Sequence, residues 1–413
     1  MHEWYEQTSL TPMRVARTAG YIDWSMQPSL FKHYPAGLFS YDINEHEALK
    51  VISLARCVTS EHTVGGRPYL RLNTPSAGNL HPLELYVQIR GLKGIISGIY
   101  HVDAEREKLV LIREVENDGV EHTLGMGNRF KGMIFILSTV PFRSAWKYGE
   151  RSWRYCFLDA GHQLGALQAA ATACDGELTI LSEFDGQCLD RVMGFGMQEH
   201  TIAVMLLGKG TQRECQPLKK NLMQVAPTDY YENDATLFNA FYETSIKAVE
   251  LPENSYAEMD ALEALIVSRR SARGFVGEPM EPDDLAYFLH ISARTPQPLV
   301  CHTLVLRGEP LPIGLYKGGR LVRQGSYSSE ITALAVDQSF VSTSSLVLIL
   351  SASAFGAETL MSAAAFAHTL QLHSCARRLG FSGVGAFYDR KLQHFLKTDN
   401  YILYMMVIGK EKS

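Results

Sequence analysis

The sequence predicts a two-domain protein of mixed helix and strand whose halves are built alike, and three recurrences predict it. A hairpin pattern, an Ala-rich helical pattern and a closing apolar strand follow one another in the first half and again in the second. The 413 residues suffice for two domains of ordinary size, roughly 100–200 residues each.

The hairpin comes first. Ser97–Ile112 is echoed by Ile313–Arg323, and each reads as two short apolar strands around a polar turn, with Gly98-Ile-Tyr100 answering Gly314-Leu-Tyr316. The helical pattern follows: Ala160–Gly176 is matched by Phe366–Gly380, each rich in Ala, beginning near a His and stopping at a Gly. Such small residues let neighbouring backbones approach closely, so a buried central helix is expected in each half. The halves then close on Thr201–Lys209 and Tyr401–Lys410, apolar runs that suit a buried strand with a Gly-Lys exit.

Between the halves, about Thr211 to Met259, lie Pro217, Pro227 and Pro252 among polar clusters, which predicts a connector with one helix around Ala235–Ala248. The expected organisation is a first domain over 1–210, a linker over 211–258 and a second domain over 259–413. The halves are unequal. From Arg56 to Tyr100 the first runs about twice as far as the second does from Arg294 to Tyr316. The extra length holds Arg67–Pro82, a loop dense in turn formers before a strand at Leu83–Ile89. In its place the second half has Ser268-Arg-Arg-Ser-Ala-Arg-Gly-Phe275 at the end of an amphipathic helix.

Composition bounds the function. With 46% hydrophobic and 20% charged residues, the chain is far from the signature of disorder. A formal charge of -5 gives no electrostatic reason to expect a nucleic-acid partner. The longest apolar run, Ser345–Phe355, falls short of the ~20 residues a membrane span needs, and Met1–Gln7 carries two acids and no apolar core, unlike a secretory signal. The 7 Cys are scattered without Cys-x-x-Cys, which argues against a disulfide framework or a closed zinc site. A cytoplasmic location is the expectation.

Four segments can carry chemistry. If the helix continues through Arg269 and Arg273, the two share a face beside Arg270 and Ser271, a set suited to a phosphate dianion; a solvated basic helix end is the competing reading. Gly380-Phe-Ser-Gly-Val-Gly385 can bring backbone N–H groups to a ligand, or simply turn the chain from helix to strand. Pro75-Ser-Ala-Gly-Asn79 offers a hydroxyl, a carboxamide and flexible backbone to a polar ring edge, or makes a structural turn. In Trp146–Tyr155, Lys147 and Tyr148 sit among aromatics and arginines, where burial or a neighbouring cation can move a pKa towards neutrality; a helix surface ladder is the alternative.

Other chemistries fail on pattern. Gly125-Met-Gly127 and Gly194-Phe-Gly196 lack the third Gly of a dinucleotide fingerprint, no Gly-Lys-Ser/Thr occurs, and Val384 breaks a nucleophile elbow. His368 and His373, five apart, do not share a helix face for a metal, so core or surface histidines are expected.

Together these pieces resemble the nitroreductase superfamily of flavin enzymes, and within it the azoline dehydrogenases that form thiazole and oxazole rings, in a tandem-fused form. The resemblance runs over Glu47–Lys209 and Ala261–Lys410. It is carried by Pro75–Tyr86, Gly98–His101, Ala145–Arg151, Arg154-Tyr155, Asp159–His162, Arg269–Arg273 and Gly383-Val-Gly385. It implies an α+β fold of two tandem FMN-dependent nitroreductase-like domains forming an intramolecular pseudo-dimer. It also implies a grip on FMN by Arg269, Arg270, Ser271, Arg273, Gly383, Val384, Gly385 and Lys410, with Ser76, Gly78 and Asn79 contributed by the first half. Lys147 and Tyr148 match the family's catalytic Lys-Tyr pair. Because each half keeps only part of the set, the resemblance implies one FMN per chain, bound between the halves. The substrate it implies is an azoline ring in a modified peptide, handled with a partner enzyme of a peptide-modifying complex. The alternatives are an NAD(P)H-dependent reductase of nitro or enone compounds and a non-catalytic scaffold of such a complex.

Overall fold

The computed structural model describes residues 2–18, 22–64, 67–232, 234–244 and 249–412. The chain divides into two compact units, an internal one over Asp23–Val249 and a terminal one made of Met1–Ile22 with Glu250–Ser413.

The internal unit holds strands β1 (Ser40–Asp42), β2 (Val58–Val64), β3 (Arg67–Leu72), β4 (Leu83–Arg90), β5 (Gly98–Asp103), β6 (Lys108–Glu114), β7 (Asn128–Thr139), β8 (Leu178–Ile180) and β9 (His200–Glu214). Seven form one antiparallel sheet in the order β1-β6-β5-β4-β7-β9-β8, and β2 and β3 make a separate hairpin. The terminal unit holds β10 (Leu299–Val305), β11 (Gly314–Lys317), β12 (Arg320–Gln324), β13 (Leu346–Ala352), β14 (Gly380–Val384) and β15 (Tyr401–Gly409). Its sheet runs β12-β11-β10-β13-β15-β14, again antiparallel throughout. With β4–β9 set against β10–β15, the two sheets have the same strand order, and β1 is an addition to the first.

The recurrences therefore mark equivalent elements. The hairpins are β5–β6 and β11–β12. The Ala-rich patterns lie in helices Ser152–Ala173 and Ala357–Ala376. The first is buried at every residue from Ser152 to Ala171, the second at nearly every one from Ala357 to Ser374. Helices buried all round need apolar or small residues on every face, which explains why both read as Ala-rich rather than amphipathic. The first begins eight residues before its Ala run, because Trp153, Tyr155 and Phe157 are buried with it. Strands β4 and β13 are buried almost end to end, the pattern of strands covered on both faces.

Four expectations need correction. The Arg67–Pro82 segment is not all loop: Arg67–Leu72 is β3, with Leu70 and Leu72 buried in alternation. Strand β9 continues to Glu214, past the expected connector boundary, because long β7 pairs with it as far as Asn128 opposite Glu214. The connector helix is seen over Ala235–Tyr242 and stops at Glu243, short of the expected end; 245–248 lie outside the described residues. The basic segment is not helical through Arg273: the helix is Leu262–Ser268, and Arg269 turns extended at φ -54°, ψ 127°. The Ala272 N–H then bonds Phe381 O at 2.8 Å, Val276 N–H bonds Lys410 O at 3.0 Å, and Lys412 N–H bonds Gly274 O at 3.1 Å. The ends of β14 and β15 thus capture backbone donors that a continuing helix would have used internally.

Candidate functional site

In the internal unit the structure brings two of the sequence-predicted segments together. The Pro75–Asn79 loop enters a turn at Ala77–Asn79, with Gly78 at φ +66° and Asn79 at φ +60°. A Cβ on Gly78 would collide with the Tyr148 hydroxyl and lie 3.2 Å from Lys147 Nζ. The loop backbone therefore lies directly against the Lys-Tyr pair.

The loop is held there bond by bond. The His81 N–H donates to Ser76 Oγ at 3.0 Å, and Asn79 Nδ2 donates to Leu70 O at 2.8 Å. At its entry Asn73 Nδ2 donates to Leu54 O at 2.6 Å, and at its exit Arg143 Nη1 donates to His81 O at 3.0 Å. The Ala77 N–H donates to Asp159 Oδ1 at 3.2 Å. The Asn79 carboxamide, expected to address a ring edge, spends its nitrogen on fastening the loop to β3.

Lys147 and Tyr148 end the helix Phe142–Tyr148, which stops at Gly149 with φ +53°, ψ -139°, a conformation only glycine adopts without strain. Tyr148 packs edge-on against Tyr155 at 4.9 Å between ring centroids, and burial, with Tyr155 and Asp159 nearby, pushes its hydroxyl well above the usual tyrosine pKa. Burial lowers the pKa of the half-buried Lys147 ammonium. Lys147 Nζ lies 4.8 Å from the ring centre of Trp24 and 5.2 Å from that of Tyr148, a cation–π arrangement. Trp24 stands on a short turn capped by Asp23, packs edge-on against Trp146 and is 50% exposed.

Behind the pair lies a buried polar cluster that orients its helix. Glu84 accepts from the Lys32 N–H at 2.9 Å, Arg143 Nη2 at 2.7 Å and His101 Nε2 at 2.9 Å. Although burial opposes ionisation, Arg143 and His101 hold the Glu84 carboxyl well below the usual range. Lys32 Nζ pairs with Glu199 at 2.7 Å, and Tyr86 and Ser138 donate to the other Glu199 oxygen at 2.8 and 2.7 Å. Arg143 thus joins the Lys-Tyr helix, the loop exit and Glu84.

In the terminal unit the basic segment lies at one end of the sheet. Arg269 is 4% exposed, Arg270 is exposed and paired with Glu411 at 3.1 Å, and Arg273 is exposed. Gln371 Nε2 donates to Arg270 O at 3.2 Å, which ties the segment to the core helix. Lys410 follows β15 and pairs with Glu281 at 3.0 Å. Gly383 and Val384 are part of edge strand β14 rather than a helix-to-strand turn, and Gly385 follows it. The Tyr404 hydroxyl occupies the space a Gly383 side chain would need. His368 and His373 are both buried, and His373 bonds Tyr287 Oη at 2.7 Å and Ser255 Oγ at 2.9 Å. They are core histidines.

Sequence reasoning gave no role to two residues of the site. Trp24 lies in an amino-terminal stretch without repeat or motif. Asp159 was legible only as part of a resemblance, since nothing in its spacing shows that it reaches Ala77.

Comparison with known proteins agrees with this architecture. No family model matches the sequence. A protein of Methanocaldococcus jannaschii named as a "putative nitroreductase" is 27% identical over 143 residues, covering 33% of this chain and 69% of its own. The crystal structure of a "putative nitroreductase" from Anabaena variabilis superposes with a TM-score of 0.81 at 20% identity, covering 100% of this chain and 99% of that one. The fold is nitroreductase-like along the whole chain. A chain of the E. coli microcin synthetase McbBCD complex with truncated pro-MccB17 bound aligns with 49% of this chain and 83% of its own, at 14% identity and a TM-score of 0.34, a level that does not bear on which branch of the fold this chain follows. Among the described residues no helix is long and apolar enough to cross a membrane.

Proposed function

We propose that this protein is an FMN-dependent oxidoreductase of the azoline dehydrogenase type. The observation that carries the reading is the meeting of Gly78 with Tyr148 and Lys147, which joins the two motifs of the internal unit that the resemblance assigns to flavin and catalysis. The residues present suit FMN. Arg269, Ser271 and Arg273 offer the guanidinium and hydroxyl donors that a phosphate monoester takes, and Arg270 and Lys410, held in ion pairs with Glu411 and Glu281, add positive charge to the same segments. The open face of Gly78, with Ser76 and Asn79, lets backbone approach a flat ring closely. Gly383 and Val384 on edge strand β14, with Gly385 just after it, would supply backbone to the same phosphate monoester.

When bound, FMN supplies hydride transfer. The chain's own residues do the rest. Arg269 and Arg273 would supply positive charge to an anionic group of the cofactor. Tyr148, whose pKa is pushed up by burial, keeps its proton and donates a hydrogen bond. Lys147, whose ammonium is destabilised by burial, is the better proton acceptor of the two. Trp24 covers one side of its amine at cation–π distance.

The test is direct. Purified protein should carry, or take up on reconstitution, about one FMN per chain, and Lys147→Ala or Tyr148→Phe should abolish most azoline oxidation while flavin stays bound. A ratio near two, no flavin after reconstitution, or full turnover in both variants would overturn the reading. A colourless protein that co-purifies with a cyclase would favour a scaffold role, and turnover of nitro compounds with NAD(P)H but not of azolines would favour a reductase.

A further inference from the structure

Asp159 sits at 5% exposure in the buried helix Ser152–Ala173, one turn after Tyr155, whose ring supports Tyr148. Its Oδ1 accepts the Ala77 N–H at 3.2 Å, and the nearby Ser76 hydroxyl favours its charged form. Its Oδ2 is buried with no hydrogen-bond partner. Arg56, the cation that acts on its charge, bonds elsewhere, to Leu83 O at 2.7 Å and Gln163 Oε1 at 3.1 Å. A buried carboxyl without a contacting counter-ion is a costly way to hold one turn. An asparagine would accept the same N–H without charge.

We propose that Asp159 is the positioning residue of the site, its carboxylate holding the Ser76–Ala77 turn and thereby fixing where Gly78 meets the Lys147–Tyr148 pair. The inference rests on the flavin reading only for its consequence, that the loop presented to the cofactor is ordered by this carboxylate. Burial pushes the Asp159 carboxyl up to about 7, so its charge, and with it the stronger charge-assisted bond to the loop, changes across neutral pH. The groups coupled to it are Ser76 from the loop, Arg56 after the Lys50–Ala55 helix, Tyr148 from the neighbouring helix and Cys156 on its own helix, where Tyr155 and His162 lie about one turn away in sequence. Arg56 is lowered by burial only to about 10 and stays charged, while burial pushes Cys156 up to about 12 and Tyr148 higher still, so both stay neutral.

The experiment is hydrogen exchange at the Ala77 amide in the full chain without flavin, between pH 6 and pH 8, corrected for intrinsic chemistry, alongside FMN titration at each pH. The wild type should show roughly tenfold greater protection at pH 8, the difference between a charged and a neutral acceptor, and tighter FMN binding by a similar factor. Asp159→Asn, of the same shape, should flatten both profiles. A flat wild-type exchange profile overturns the proposal even if the variant does not fold, and so does a pH dependence that survives in Asp159→Asn, which would assign it to another group. If the exchange result holds but FMN binds at no pH, the positioning role stands and the flavin reading fails.

Discussion

Gly78 and Tyr148 meet so closely that a single methyl group on the glycine would run into the tyrosine hydroxyl. The contact joins residues seventy positions apart in the chain, and both need it: Gly78 is at φ +66°, and Tyr148 has Tyr155 behind it. Gly78→Ala should therefore displace Tyr148 or distort the loop. The expected cost is about 1–3 kcal/mol, from the left-handed backbone and the clash together, measured by urea unfolding. Turnover should fall by about tenfold or more through misplacement of the pair. Wild-type stability and turnover in this variant would show that the contact is slack.

Lys147 should titrate below the exposed-lysine value near 10.5, because burial disfavours its charged form. Amine-selective labelling against pH should place its midpoint lower than that of the exposed lysines. Trp24→Ala opens the amine to water and should move the midpoint upwards, and the alkaline limb of turnover with it. No movement would mean that Trp24 does not shield the amine.

The phosphate grip can be separated from ring binding by comparing FMN with riboflavin. Arg269→Ala and Arg273→Ala should each weaken FMN about tenfold to a hundredfold, the worth of a charge-assisted hydrogen bond, and leave riboflavin affinity nearly unchanged. Arg270→Ala, at an exposed ion pair with Glu411, should change it by less than about threefold. Equal loss for both ligands would place these arginines away from the phosphate.

Lys32 and Glu199 form an ion pair with both side chains buried. Lys32→Met alone, or Glu199→Gln alone, leaves an uncompensated group inside and should cost about 3–5 kcal/mol in denaturant unfolding. The double variant should recover part of that loss. A single variant as stable as wild type would mean that water reaches the pair.

The Asp159 carboxyl carries a stability signature of its own. Within the fold the Ser76 hydroxyl and the Ala77 bond favour the charged carboxyl, but against the unfolded chain burial outweighs them: its folded pKa of about 7 lies above the ordinary 3.8, so its contribution to global stability is fully present below pH 4 and is lost as pH rises to 7. Asp159→Asn should accordingly be more thermally stable than wild type at pH 8, by a few kcal/mol at most, with the gap closing towards pH 5. A constant gap would show that the carboxyl titrates normally.

The repeated order of elements follows from local sequence alone. Hairpin, Ala-rich helix and closing strand are local patterns of period and side-chain size, and each is set by residues adjacent in the chain. The β5–β6 and β11–β12 hairpins, the two buried helices and strands β9 and β15 were legible for that reason. The tertiary structure decided where those patterns stop and which residues meet. Arg269 leaves its helix because the ends of β14 and β15, more than a hundred residues away, capture the backbone donors of the segment after it. Leu70 and Leu72 become a strand because Val58–Val64 pairs with it. Asp159 becomes a loop anchor because the folded chain sets it beside Ala77, and Trp24 covers Lys147 although nothing near it in sequence marks it. Hydrogen-bond partners and burial depend on distance in space, and no local pattern records that distance.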